Sequence, residues 1–218
     1  MRPEAVIFDF DGTVARTHMG VVNSVVYALN ALGAPIPEET TLLEFLGPPL
    51  NWSFTELAHL SPADADRAVA KYRERYSETG LFECELYPGF RELLEVLRDA
   101  GIPAGITSGK PEVFLKRIVQ RLGIASLVSA VAGPSFSDKS PDKTPEILRA
   151  LPPGAEPSRC VMVGDRRFDI EAGNGLGMKT IGVLYGYGSR QELTASGAAA
   201  LAETCPEILD RLKELAAQ

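Results

Sequence analysis

Three apolar runs, widely separated in this chain, each end in polar residues, and that pattern restricts the fold more than any other feature. Ala5-Val6-Ile7-Phe8 leads into Asp9-Phe10-Asp11-Gly12-Thr13, residues 103–106 into Thr107-Ser108, and Cys160-Val161-Met162-Val163-Gly164 into Asp165 and Asp169. Short apolar runs bounded by such breaks read as buried strands. Strand side chains alternate with period 2, so Asp9 and Asp11 project the same way and, uncompensated, resist joint ionisation. A lone Asp-x-Asp-Gly has a plainer explanation: a polar strand end followed by an Asp-Gly turn. The second acidic pair, the hydroxyls and a lysine lying between them in sequence shift the reading. Four acids, a hydroxyl and one cation at strand ends suit a site for a divalent metal and a phosphate.

The rest of the chain fits a parallel sheet with an insertion. Residues 4–9 are expected to form strand one. Residues 15–84 then contain no buried strand and read as an inserted all-α module. Positions 21, 22, 25, 26, 29 and 32 make a helical stripe ending at Gly33, and Thr41 with Glu44 has capping-box spacing. Asn51 to Leu60 reads as a third helix. Ser61-Pro62 opens a fourth, with Ala65, Ala68, Val69, Tyr72 and Tyr76 on its apolar face, and Gly80 ends it. Beyond Tyr87, helices at Pro88–Ala100, from Pro111 to Gly123, at Glu146–Leu151 and from Cys205 alternate with strands at 103–107, 127–132, 160–164 and 180–184. Such alternation implies parallel strands joined by right-handed crossovers. In such sheets ligands bind beyond the carboxyl ends of the strands. Asp9, Thr107 and Asp165 are each expected at such an end. The polar loop Gly133 to Asp142 is expected to be mobile.

Composition narrows the partners. With 22 basic against 29 acidic residues the net charge is −7, which argues against a nucleic-acid polymer as partner but not against a small anion. Cys84, Cys160 and Cys205 lack metal-like spacing and are odd in number, as expected of reduced thiols. No apolar run reaches the ~18 residues of a membrane span. A leader of about 15–30 residues would have to contain strand one, so a cytoplasmic location is expected. His18 and His59 have no helpful acid or cysteine spacing. Phe45, Trp52 and Phe54 are expected in the module core, and Gly47-Pro48-Pro49 as a helix break or a loop facing the site.

The set of motifs, in this order, resembles the phosphatases of the haloacid dehalogenase superfamily, along the whole chain. Asp9 to Thr13 matches the family's D-x-D-G-T. Thr107, in Ile106-Thr107-Ser108-Gly109-Lys110-Pro111, matches its strand-closing hydroxyl. Lys143, in Lys143-Thr144-Pro145-Glu146-Ile147-Leu148, best matches its lysine, with Lys110 and Lys139 as alternatives. Gly164-Asp165-Arg166-Arg167-Phe168-Asp169 matches G-D-x-x-x-D. Ile181 to Ser189 and Gly47-Pro48-Pro49-Leu50 are similar to the phosphoglycolate phosphatase-like and 5′-nucleotidase-like branch. The resemblance implies a Rossmann-like core, residues 1–14 and 85–218, with a helical cap, 15–84, that closes over the site and sets substrate preference.

It also implies roles. Asp9 would attack phosphorus to form an aspartyl-phosphate, and Asp11 would protonate the leaving alcohol and later deprotonate water. Mg²⁺ would be held by Asp9, the Asp11 backbone carbonyl and Asp165, with Asp169 acting through water or by orienting Asp165. Gly12, Thr13, Thr107 or Ser108, and Lys143 would contact the phosphoryl group, Lys143 balancing its charge. The implied reaction is hydrolysis of a small-metabolite phosphate monoester. A 5′-nucleotidase, a sugar-phosphate mutase and a non-catalytic phosphate-binding module are the alternatives. A signalling receiver domain carries similar groups but needs no insertion of about 70 residues and is about half this length. Val14-Ala15-Arg16-Thr17 departs from the family, which often has an acid at the third of these positions. Arg16 there would either face solvent or clamp a substrate carboxylate or second phosphate.

Overall fold

A computed structural model describes residues 2–136, 140 and 142–217. Thr17–Glu85 form one compact unit, and the flanking segments, up to Arg16 and from Leu86, form the other.

Among the described residues, the core unit is built on six parallel strands in the order β5-β4-β1-β6-β7-β8. These are β1 (Val6–Asp9), β4 (Ala104–Thr107), β5 (Ala130–Ala132), β6 (Val161–Gly164), β7 (Lys179–Val183) and β8 (Ala200–Ala202). Two further short strands, β2 (Ala15–Arg16) and β3 (Glu85–Leu86), pair where the chain leaves the core and returns to it. The chain runs from β1 outward through β4 to β5, then comes back to place β6 on the other side of β1. That reversal is the topological switch at which open α/β sheets bind ligands.

Every residue of β1 is buried, as a parallel strand covered on both faces requires. Its alternate side chains serve two cores. Ala5 and Ile7 pack with Ala132, Ile147, Ala150, Cys160, Met162 and Met178. Phe8 points the other way and meets Phe90 edge-on, ring centroids 5.2 Å apart. Phe90 belongs to α5 (Phe90–Asp99), whose other inward residues are Leu93, Leu94 and Leu97, as its periodicity predicts. The remaining core helices are α6 (Glu112–Arg121), α7 (Thr144–Ala150), α8 (Arg167–Gly175), α9 (Arg190–Ala195) and α10 (Cys205–Ala216). α10 packs on α5, and α7 on α8.

The inserted unit is all-α: α1 (His18–Leu32), α2 (Glu39–Leu43), α3 (Leu50–Glu56) and α4 (Pro62–Glu78), followed by a 3₁₀ turn at Gly80–Phe82. α1 and α3 both pack on α4. Ser61 caps α4 by accepting from the Asp64 N–H, with Pro62 at the first helical position. Ala65, Ala68, Val69, Tyr72 and Tyr76 are all buried.

Several elements differ from the sequence reading. β8 was not foreseen, because Ala200-Leu201-Ala202 is too short and alanine-rich to signal a strand; it pairs Ile181–Val183 of β7. β5 begins at Ala130 rather than 127, since Ala125–Leu127 forms a 3₁₀ turn. Thr41 opens no helix: α2 starts at Glu39, so Thr41 lies inside it. Phe45 and Phe54 are buried against each other, but Trp52 is 50% exposed and is not core. α3 turns Ser53 and Phe54 inward, and the neighbouring position faces water. Residues 137–139 and 141 of the loop expected to be mobile lie outside the described residues, so Lys139 is not described. No helix among the described residues is long and apolar enough to cross a membrane, and the three cysteines are free thiols.

Candidate active site

Sheet register assembles the site. Asp9, the last residue of β1, pairs directly with Thr107, the last residue of β4. Phe8 pairs with Val163, so β6 ends beside them and delivers Asp165 to the same rim. Asp165 precedes α8, and Asp169 lies in its first turn, where its Oδ2 accepts from the Arg166 N–H at 3.1 Å. Ligating oxygens of Asp9, Asp165 and Asp169 all fall within 4.8 Å of one another, and all three residues are buried.

Among the described residues, Lys143 is the cation bonded to this cluster. Lys143, just before α7, places its Nζ 2.7 Å from Asp9 Oδ1 and 2.6 Å from Asp169 Oδ1. Three carboxylates against this one bonded ammonium leave an excess of negative charge, which Arg166 near Asp165 only partly offsets, in a place where charge is expensive. The electrostatics follow from that imbalance. Burial first, then the Asp169 charge, pushes Asp9 well above the usual carboxylate range. The same two causes push Asp165 up to about 7. For Lys143 burial acts downward, but Asp169 and Asp9 outweigh it and hold the ammonium charged. Among the described residues, this is an all-oxygen donor set short of positive charge, and a hard divalent cation such as Mg²⁺ fits it.

A second unmet demand lies beside Asp9. Thr107 Oγ1 is buried and finds no hydrogen-bond partner among the described residues. Buried hydroxyls are rarely left so, and this one is available to an incoming oxyanion.

Asp11 stands apart from the carboxylate cluster. Ser108 Oγ donates to its Oδ2 at 2.9 Å, and Lys110 Nζ lies 3.1 Å from its Oδ1. Ser108 is thus engaged with Asp11, and Thr107 is the hydroxyl without a partner. The loop between Asp9 and Asp11 and the next strand turns at Gly12, whose φ of +88° lies in the left-handed region that favours glycine. A Cβ at Gly12 would also overlap the Asp165 carboxylate. Thr13 Oγ1 approaches Asp165 Oδ1 only at 3.5 Å, a weak bond. Arg16 spreads over the Tyr87 ring, 5.1 Å from its centroid.

Sequence reasoning did not assign a part to the segment after β7. The Tyr187 N–H donates to Asp165 Oδ2 at 2.7 Å, and the Tyr185 hydroxyl donates to the Thr13 carbonyl at 2.9 Å. Gly186 and Gly188 pack so closely on Asp165 that a side chain at either would overlap it. The Tyr-Gly-Tyr-Gly pattern was the available signal: alternating glycines after a strand mark a close backbone approach.

Residues 6–183 match the haloacid dehalogenase-like hydrolase family. A 5′-nucleotidase of Pseudomonas aeruginosa is 35% identical over 197 residues, 89% of this chain and 89% of that protein. A phosphoglycolate phosphatase of Shigella dysenteriae is 30% identical over 233 residues, covering 95% of this chain and 91% of the relative. Among solved structures, protein tyrosine kinase A of Mycobacterium tuberculosis superposes with a TM-score of 0.83 at 33% identity, covering 97% of this chain and 98% of that one. A parallel sheet with acids, hydroxyl and lysine on one rim, carrying a helical insertion, defines a phosphoryl-transfer protein of the α/β class, and the chain belongs to the haloacid dehalogenase-like hydrolase family. Within that family it is a phosphatase.

Proposed function

We propose that the protein is a Mg²⁺-dependent phosphatase that hydrolyses a small-metabolite phosphate monoester through an aspartyl-phosphate on Asp9, with a substrate like phosphoglycolate. The observation that carries this reading is the register pair of Asp9, buried against Lys143, and Thr107, whose buried hydroxyl has no partner among the described residues.

In this reading an Asp9 oxygen attacks phosphorus as the ester P–O bond breaks. Asp11 gives its proton to the leaving oxygen, and the alcohol departs. Water then attacks phosphorus, Asp11 takes the water's proton, and Asp9 is released with inorganic phosphate. Thr107 donates to a phosphoryl oxygen, and Lys143 offsets charge on Asp9 and on the phosphoryl group. Gly12 and Thr13 shape the backbone of the phosphate loop. Mg²⁺, held by Asp9, the Asp11 carbonyl and Asp165 with Asp169 in support, would neutralise charge on the transferring group. The inserted helices, read from the sequence as residues 15–84, select the leaving group. Arg16 pairs with a carboxylate or second phosphate on it, so Arg16→Ala should raise KM for such substrates and spare a neutral ester.

The test is a panel of 2-phosphoglycolate, nucleoside 5′-monophosphates, sugar phosphates and p-nitrophenyl phosphate, each with Mg²⁺ and with excess chelator. The reading expects release of inorganic phosphate that chelator abolishes, with 2-phosphoglycolate among the best substrates. Preference for the nucleotides would move it to a 5′-nucleotidase. Phosphoryl transfer to a sugar without phosphate release would make it a mutase, and no turnover at all a binding module.

A further inference from the structure

Lys110 has no part in the chemistry described so far, yet it is placed like a working residue. Its side chain is only 10% exposed, and its Nζ lies 3.1 Å from Asp11 Oδ1. The other oxygen of the same carboxylate, Oδ2, accepts from Ser108 Oγ at 2.9 Å. Ser108 Oγ in turn accepts from the Lys110 backbone N–H at 3.0 Å, which fixes the direction of its own hydroxyl proton toward Asp11. One three-residue segment therefore grips both oxygens of one carboxylate.

The grip is referenced to the nucleophile. The segment begins at the end of β4, whose Thr107 is in register with Asp9, and the Ser108 N–H is tied to the Ala132 carbonyl of the neighbouring strand. An exposed lysine pair constrains little, because both side chains remain free to wander. Here the lysine is almost buried and the partner serine fully so. Two different donors on two oxygens fix the rotation of the carboxyl plane as well as its position. A proton donor needs that control. It has to lie within about 2.6–3.2 Å of the leaving oxygen. A displacement of about 1 Å can lower a rate about 100-fold.

We propose that Lys110 and Ser108 are positioning residues for Asp11, holding its carboxyl group in the place from which it delivers a proton to the leaving oxygen. This rests on the reading of Asp11 as the proton donor. It separates the two lysines of the site: Lys143 serves Asp9, and Lys110 serves Asp11.

Leaving-group chemistry tests it. A nitrophenolate departs as a stable anion, whereas an alkoxide has to be protonated as it leaves. Lys110→Met and Ser108→Ala should each lower kcat/KM, which reports the leaving-group step and not the shared water step, by about 100-fold on the best alkyl ester of the panel and by less than about tenfold on p-nitrophenyl phosphate. Lys110→Arg should restore part of the alkyl rate. Mg²⁺ binding, read by calorimetry on the folded variants, should stay within about twofold of wild type, because both substitutions leave the Asp11 backbone and the Asp9, Asp165 and Asp169 carboxylates in place. Equal fractional losses on the two esters, or no loss on either, would overturn the proposal. Asp11→Asn, run in parallel, tells the two readings apart. If it shows the alkyl-selective loss and the Lys110 and Ser108 variants do not, positioning fails and the acid role stands. If Asp11→Asn shows no such selectivity, the acid role fails and the proposal with it.

Discussion

The rim of the core sheet and the inserted helices treat charge in opposite ways. At the rim, Asp9, Asp165 and Asp169 are almost fully withdrawn from water, Lys143 bridges Asp9 and Asp169, and among the described residues Thr107 keeps an unmet hydroxyl. In the inserted unit, charges are matched by near neighbours: Arg67 with Asp64 and Lys71 with Glu74 in solvent, and a half-buried Arg75 with Glu83. Exposed pairs of this kind contribute between nothing and about 1 kcal/mol each and can be exchanged freely. Buried like charges work against folding and persist where something brought in from outside offsets them. The site is therefore marked by unmet electrostatic demand, not by the number of charged residues, of which the helices have many.

That contrast can be broken at several points. The largest effect belongs to Asp9→Asn. Turnover should fall by about 10⁴-fold or more, because the proposed nucleophile is gone. The thermal midpoint measured without metal should not fall, because the change removes one of the crowded like charges. Near-normal turnover would remove Asp9 from the mechanism. Next come the two acids of the Gly164–Asp169 motif, Asp165 and Asp169. Asp165→Ala should raise the Mg²⁺ concentration needed for half-maximal activity far more than Asp169→Ala, whose carboxylate is already engaged by Lys143 and the Arg166 N–H. Equal shifts would give both acids the same part.

The caps and matched pairs of the helices should respond in stability alone. Ser61→Ala removes the cap of α4 and should lower denaturant stability by about 1 kcal/mol while leaving kcat on p-nitrophenyl phosphate unaltered. A matching drop in kcat would contradict the division. The smallest effect concerns acid. Arg75 donates to both oxygens of Glu83, at 2.8 and 2.7 Å, and these bonds hold the Glu83 carboxyl below the ordinary glutamate range. A depressed folded value means the contribution is present above the ordinary glutamate range and is lost as pH falls through the folded value. Glu83→Gln should flatten that part of the stability curve by no more than about 1 kcal/mol. An unchanged curve would make the pair ornamental.

Much of the rim was legible because its signal is local. β1, β4 and β6 are continuous apolar runs, each closing on a polar residue, and period-2 alternation plus parallel connectivity brings Asp9, Thr107 and Asp165 to one edge. α4 and α5 were legible for the same reason: a cap or a helical stripe lies within one stretch of chain. β8 was not, since three residues of Ala200-Leu201-Ala202 carry too little pattern, and only pairing with β7 makes them a strand. Ser108 could be read as a hydroxyl near the phosphate but not as a donor to Asp11, a partner 97 residues away. Tyr185 and Tyr187 reach Thr13 and Asp165 across 172 and 22 residues, so their contacts depend on sheet order. Trp52 looked like core because it is large and apolar, yet one helical position decides which way it faces.

The central claim is that Asp9 takes the phosphoryl group before water does. Two successive in-line displacements invert phosphorus twice, whereas direct attack by water inverts it once. The most direct measurement is the stereochemical course of hydrolysis of a phosphorothioate monoester made chiral with oxygen isotopes, run in isotopically labelled water with Mg²⁺. Net retention of configuration at phosphorus is the predicted result, and net inversion would contradict it.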